Sequence, residues 1–192
     1  MPRPREFDRI DVLERAMQVF WSKGYAATSM RDLTDAMALS KSSLYDTFGS
    51  KHDLFLEAMD HYRETVTSQV RSVAALQKPA VQVIAAVLHR AVDRILEPNG
   101  RRGCFLNNCA VEVAPWDPEA AERCRAGMTV MEETFLKLVQ RAQAEGDISD
   151  ERDAKALARF LNGTVNGIMV VGKANPDRDV LDDIVAAAVR DL

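Results

Sequence analysis

With 192 residues, 47 % apolar side chains and a net charge of −4, the chain can bury one large core or two small ones, and it is not a bulk-basic nucleic-acid binder. No apolar run approaches the ~20 residues of a membrane-spanning helix, and the opening MPRPREF lacks a signal peptide's apolar stretch, so a soluble cytoplasmic protein is predicted. Cys104, Cys109 and Cys124 form no CxxC pair and are odd in number, as expected of reduced thiols.

The charge is unevenly spread. Residues 1–52 hold eight Lys/Arg against seven Asp/Glu, and the remainder holds seventeen against twenty-two. The first helical repeat carries Ile10, Leu13, Ala16 and Phe20, with Glu6, Asp8, Asp11 and Glu14 among its polar positions. Residues 28–51, TSMRDLTDAMALSKSSLYDTFGSK, then read as two short helices joined by a tight turn. Thr28 and Ser29 are both suited to cap the first, and Leu33, Ala36 and Met37 are its inner positions. Ser40 caps a second helix over about 41–48. There Leu44 and Phe48 point inward, which leaves Lys41, Ser42, Ser43, Tyr45 and Thr47 outward. One cation, three hydroxyls and a phenol at a helix N-terminus suit a phosphate-lined groove.

The rest of the chain reads as helical too, without alternating strand runs, for about nine helices in all. Ser50 and Asp53 make a capping box for a helix over about 51–75. Pro79 opens one over about 79–97, and Pro98–Gly103 is a loop. A short helix spans about 104–113. Asp117 and Pro118 start a helix over about 118–145, where Ala121, Cys124, Met128, Met131, Phe135, Leu138 and Ala142 recur in alternating steps of three and four. Asp150 is placed to cap a helix over 151–174, and a last apolar helix covers about 177–191. The expected fold class is all-α, with a helix-turn-helix domain over 1–50 and a helical effector-binding and dimerisation domain over 51–192.

The N-terminal pattern resembles the DNA-binding domain of the tetracycline-repressor (TetR) family. The resemblance rests on Ile10, Leu13, Ala16, Phe20, Lys23-Gly24-Tyr25, Thr28, Arg31, Leu33, Ala36 and SKSSLYDTFGSKHDLF at 40–55, about a quarter of the chain. It implies that Thr28, Ser43, Tyr45, Thr47 and Lys51 hold phosphates of double-stranded DNA, while Arg31, Lys41 and Ser42 reach base edges. It also implies a homodimer through a four-helix bundle built from residues 151–191. That places two recognition helices about 34 Å apart on a palindromic operator. Gly163 and Gly167, four apart, permit close helix approach there. Two positions depart from the family pattern. Ala38-Leu39 stands where the turn usually has Gly, so either a strained Ala is accepted or the turn differs. Asp46 replaces an aromatic or basic residue, so it points away from phosphates, accepts from a cytosine amine or pairs with Lys41 or Arg31.

The segment 103–116, GCFLNNCAVEVAPW, mixes polar and apolar residues and resembles the effector domains of one TetR subgroup. Tyr62, Phe105, Asn108, Glu112, Trp116 and Asn166 are the candidate effector-binding residues, aromatic walls with a few directing polar groups. Cys104 follows Arg101-Arg102 at a helix start, a setting that favours a reactive thiolate and a second, thiol-sensing route. Asp60-His61-x-x-Glu64 is a weak metal pattern better read as a solvated face. No nucleophile–base set or phosphate loop stands at a known spacing. The expected function is a ligand-responsive repressor without catalysis, cofactor or metal. A helical enzyme and a protein-binding adaptor are the rival classes.

Overall fold

The computed structural model describes residues 7–190 and Leu192, so Glu6 lies outside the described residues. Among these, nine α-helices and one 3-10 turn make up the regular structure. They are α1 (Arg9–Lys23), α2 (Met30–Met37), α3 (Lys41–Phe48), α4 (Lys51–Ala74), α5 (Ala80–Leu96), the turn Gly100–Arg102, α6 (Phe105–Glu112), α7 (Pro118–Glu145), α8 (Ala154–Ala174) and α9 (Arg178–Arg190).

Most helix starts follow local capping chemistry. Asp8, Ser29, Ser40, Ser50, Asp117 and Asp153 each accept a first-turn N–H through a side-chain oxygen. Of Thr28 and Ser29, Ser29 is the cap, in a reciprocal box with Asp32. Two helices are capped from a distance. The Ala80 N–H donates to Glu145 Oε2 at 2.6 Å, which ties the start of α5 to the end of α7. The Phe105 N–H donates to the Tyr62 hydroxyl at 3.1 Å, so a phenol from α4 caps α6.

The start of α8 differs from the sequence expectation. Asp150 does not cap it. Ile148 is buried, the Gln143 amide donates to the carbonyls of Ser149 and Arg152, and this extended turn delays the helix to Ala154, where Asp153 caps. Along α7 the expected seam holds at Cys124, Phe135, Leu138 and Ala142, but Met128 is exposed.

Two apolar cores result. The first joins α1–α3 to the first half of α4, to Phe105, Leu106 and Cys109 of α6, and to Ala120 and Cys124 of α7. The second gathers α5, the second half of α7, α8 and α9. Both α4 and α7 run through the two cores, so the helix-turn-helix unit leans on side chains far beyond residue 50.

The α2–α3 turn takes the strained solution. Ala38 is the one non-glycine residue with positive φ among the described residues, at φ 55° and ψ 36°. A left-handed L-residue costs ~1–2 kcal/mol, partly offset because glycine loses about 0.5–1 kcal/mol more backbone freedom on folding. Ala38→Gly is therefore expected to stabilise the protein by about 0.5 kcal/mol, read as a small upward shift in a urea midpoint.

Candidate nucleic-acid interface

Helix α3 is seated by Leu44 and Phe48, both buried, and the Arg9 guanidinium lies 4.8 Å from the Phe48 ring centroid. That leaves Lys41, Ser42, Tyr45 and Asp46 facing solvent. Ser40 Oγ accepts the Ser43 N–H at 3.1 Å and lies 3.0 and 2.8 Å from the hydroxyls of Ser42 and Ser43. Three hydroxyls thus gather at the positive end of the α3 dipole, an arrangement that suits an anionic backbone. The Lys41 ammonium sits 5.9 Å from the Tyr45 ring centroid. Arg31 projects from α2, 90 % exposed and loosely paired with Asp35 at 3.6 Å. Asp46 pairs with neither Lys41 nor Arg31 and remains outward. Among the N-terminal acids, Asp8 is spent capping α1 and Glu14 is paired with His61 at 2.9 Å.

Thr28, Thr47 and Lys51 are engaged within the fold. Thr28, expected from the resemblance to hold a phosphate, is buried and its hydroxyl donates to the Gly24 carbonyl at 2.6 Å. The Thr47 hydroxyl donates to the Ser43 carbonyl at 2.7 Å. Lys51 Nζ donates to the Tyr25 carbonyl at 2.7 Å and lies 4.4 Å from the Tyr25 ring centroid. Burial lowers the Lys51 pKa, and the Glu112 carboxylate partly offsets this.

The turn after α1 is held from the other side by Glu112, at the far end of α6. Its carboxylate accepts the Tyr25 N–H at 3.2 Å and the Ala26 N–H at 2.9 Å. Gly24 is required twice here. Its φ is 81°, and a Cβ would sit 2.7 Å from Glu112 Oε2. Asp117 adds a parallel tie, 2.6 Å from His52 of α4 while capping α7. Burial pushes the Asp117 carboxyl up, but the Ala120 N–H, the His52 ring and the Glu119 N–H outweigh it and hold it below the ordinary range. A depressed carboxyl contributes stability above its unfolded pKa, and this tie is lost as pH falls through the folded value.

The six candidate effector residues do not form one site. Phe105, Asn108 and Glu112 line a cleft of about 440 Å³ between α1, α6 and α8, together with Cys104 and Lys173. Tyr62 lines a different cavity, of about 290 Å³, between α1, α4, α5 and the Gly100–Arg102 turn. Trp116 is 86 % exposed beside the α7 start, and Asn166 of α8 lines neither space. Glu112, expected to direct a ligand, is instead occupied by the α1 turn. Sequence reasoning missed Trp21, Arg94 and Arg102, which meet at the smaller cavity from three separate segments. Asp60 and His61 are taken by Arg63, Arg123 and Glu14.

The N-terminal segment matches the family model for bacterial regulatory proteins of the tetR family over residues 12–58. A model for tetracyclin repressor-like C-terminal domains matches over residues 80–188. The uncharacterized HTH-type transcriptional regulator YezE of Bacillus subtilis is 34 % identical over 96 % of each chain. The HTH-type transcriptional repressor ComR of Escherichia coli is 27 % identical, covering 98 % of this chain and 90 % of its own. A cysteine-substituted form of the TetR family regulator CifR, solved in complex with 26-bp double-strand operator DNA, superposes with a TM-score of 0.88 at 34 % identity over 98 % of each chain. A helix-turn-helix head locked to a larger helical body, and matched along almost its whole length by these regulators, places the chain in the TetR family of bacterial regulatory proteins.

Proposed function

We propose that this protein is a homodimeric transcriptional repressor of the cytoplasm that binds a palindromic operator without catalysis and is released by a small molecule. The solvent-facing set on α3 carries the reading: one cation, a cluster of hydroxyls and a phenol at a helix N-terminus, seated on a rigid core. The operator complex of CifR supports it. In this reading Ser43, Tyr45, Thr47 and Lys51 approach phosphates, and Arg31, Lys41 and Ser42 approach base edges. The dimer forms through the outward face of α8 and α9, where Phe160, Val170, Val171 and Val180 are exposed. Release works by population shift, and a full swing requires about 5.5 kcal/mol of differential affinity.

Gel shifts on an operator series test the assignment. Tyr45→Phe is expected to weaken binding to all sequences alike while leaving the salt slope unchanged, because the lost phosphate contact is an uncharged hydroxyl. Lys41→Ala is expected to relax discrimination at one base position by ~1–3 kcal/mol. Equal weakening by Lys41→Ala on every operator variant makes Lys41 a phosphate contact. Binding that ignores salt removes the DNA-binding reading itself.

A second reading, thiol sensing, is favoured by one observation. Cys109 and Cys124 are buried, and burial pushes both thiols up, Cys124 to about 11. Cys104 is half-buried at the α6 start and shares the larger cleft with Lys173. A thiol reagent is therefore expected to label one cysteine quickly in the native protein and three after denaturation. Native labelling that is absent in wild type, or persists in Cys104→Ser, rejects this reading. Loss of oxidant-induced operator release in Cys104→Ser, with native labelling abolished, supports it.

A further inference from the structure

The smaller cavity has an unusual charge balance. Arg94 and Arg102 both reach it, and neither forms an ion pair among the described residues. Arg94 donates to the Tyr62 hydroxyl at 2.8 Å and lies against the Tyr62 and Trp21 rings, 5.1 and 5.6 Å from their centroids. Arg102 donates to Gln18 Oε1 at 2.5 Å and to the Asn99 carbonyl at 3.2 Å, and lies 4.2 Å from the Trp21 centroid. All these partners are neutral, and each guanidinium offers five N–H donors. Both side chains are half-buried. The carboxylates that line the same space are already committed. Glu14 is held by His61 at 2.9 Å and by Gln18 at 2.5 Å, and Glu97 by Arg90 at 3.1 Å. Burial lowers the Arg102 pKa, Tyr62 and Glu14 oppose this, and Arg94 adds to it, so the two cations repel across the cavity. The indole N–H of Trp21 is buried without an acceptor.

Partly desolvated cations without a counter-charge are costly to hold and are relieved by an anion that accepts bidentate hydrogen bonds. The rest of the wall is mixed: Trp21, Met17 and Val66 form an apolar patch, and Thr65, Gln69, Asn99 and the Glu97-paired Arg90 supply polar groups around it. At about 290 Å³ the cavity stands at the lower end of the usual range for small-molecule sites. From this we infer that the cavity binds a small organic acid, its carboxylate set between Arg94 and Arg102 and its apolar body against Trp21. The inference rests on the proposed ligand-released repressor and assigns its effector class. Trp21 and Gln18 belong to α1, the first helix of the DNA-binding head, so such a ligand touches that head directly.

Benzoate, its neutral analogue benzamide and inorganic phosphate serve as probes on the full-length protein, read by calorimetry and by Trp fluorescence in a Trp116→Phe background. Benzoate is expected to bind saturably and to change Trp21 emission, with benzamide at least tenfold weaker. Arg94→Gln and Arg102→Gln are each expected to weaken benzoate at least tenfold, and Arg102→Lys to recover part of the loss. Equal binding of benzamide and benzoate, or no benzoate binding by wild type, overturns the inference without any variant. Phosphate that binds while benzoate does not redefines the site as one for inorganic anions and also overturns it. A gel shift separates the two readings. Benzoate that binds without releasing operator leaves the acid site standing and removes its role as effector site. Failure of the protein to bind any selected DNA removes the repressor reading alone.

Discussion

Gly167→Glu and Val170→Glu are each expected to turn the protein into a folded monomer that binds operator at least ~100-fold more weakly, because the second recognition helix no longer contributes its share of avidity. The reason lies in how α8 divides its faces. Leu157, Leu161 and Ile168 point into the subunit and are buried. Phe160, Gly163, Gly167 and Val170 recur at steps of three and four on the other side, where Phe160 is 50 % and Val170 62 % exposed. A Cβ added at Gly163 or Gly167 meets nothing within 4 Å, so within one subunit this face is open. A carboxylate placed there is solvated in the monomer and desolvated without a partner in the dimer. Gly→Glu in a helix also gains a few tenths to about 1 kcal/mol in helix propensity, so the subunit itself is not weakened. Ile168→Glu is a contrasting control. It buries a charge in the second core and is expected to unfold the subunit rather than to separate two folded copies. Sedimentation and thermal melts distinguish the cases. Dimeric Gly167→Glu protein with undiminished operator binding refutes this face as the interface.

Local punctuation made much of the fold legible. Asp117-Pro118 and Glu145-Gly146 bracket α7 at the residues observed, because a cap, an N1 proline and a left-handed glycine each act within one turn. The same local logic misplaced the α8 start, where the burial of Ile148 and the Gln143 amide override a good capping residue at Asp150. The recognition face was legible because α3 has only two inward positions, Leu44 and Phe48, which fixes what remains outside. The resemblance gives Thr28 and Lys51 phosphate contacts, and in the fold the Gly24–Tyr25 turn engages both through hydrogen bonds that no periodicity encodes. The candidate effector set failed as a single site for a related reason. It was drawn largely from one segment, whereas the smaller cavity is assembled from α1, α4, α5 and a loop. Met128 shows the limit of a heptad-like seam: it is exposed although Cys124 before it and Phe135 after it are buried.

Glu112→Ala is expected to break the link between ligand and DNA while leaving both ends largely intact. Helix α6 is eight residues long, about 12 Å at 1.5 Å per residue. Its first N–H is held by the Tyr62 hydroxyl, which also accepts from Arg94. Burial pushes the Tyr62 phenol well above its ordinary value, so it stays a neutral hydroxyl across the physiological range. At the other end Glu112 grips the Tyr25 and Ala26 N–H groups that close α1 and lead into α2. A ligand that displaces Arg94, Tyr62 or Cys104 therefore moves a rod whose far end holds the DNA-binding head. Charge-assisted hydrogen bonds contribute roughly 1.5–3 kcal/mol when buried. These two lie nearer solvent, so a loss of about 1 kcal/mol in stability is the expected direct cost. Amide exchange at Tyr25 and Ala26 is expected to accelerate about fivefold, the factor that corresponds to about 1 kcal/mol of local opening. Operator binding by the ligand-free variant is expected to fall only modestly, because α2 and α3 keep their own core and their Ser29 and Ser40 caps. Release by effector is expected to be blunted far more than operator binding. Glu112→Gln, which retains an acceptor oxygen without the charge, is expected to fall between. Unchanged exchange at both amides together with a full effector response in Glu112→Ala excludes α6 as the coupling element.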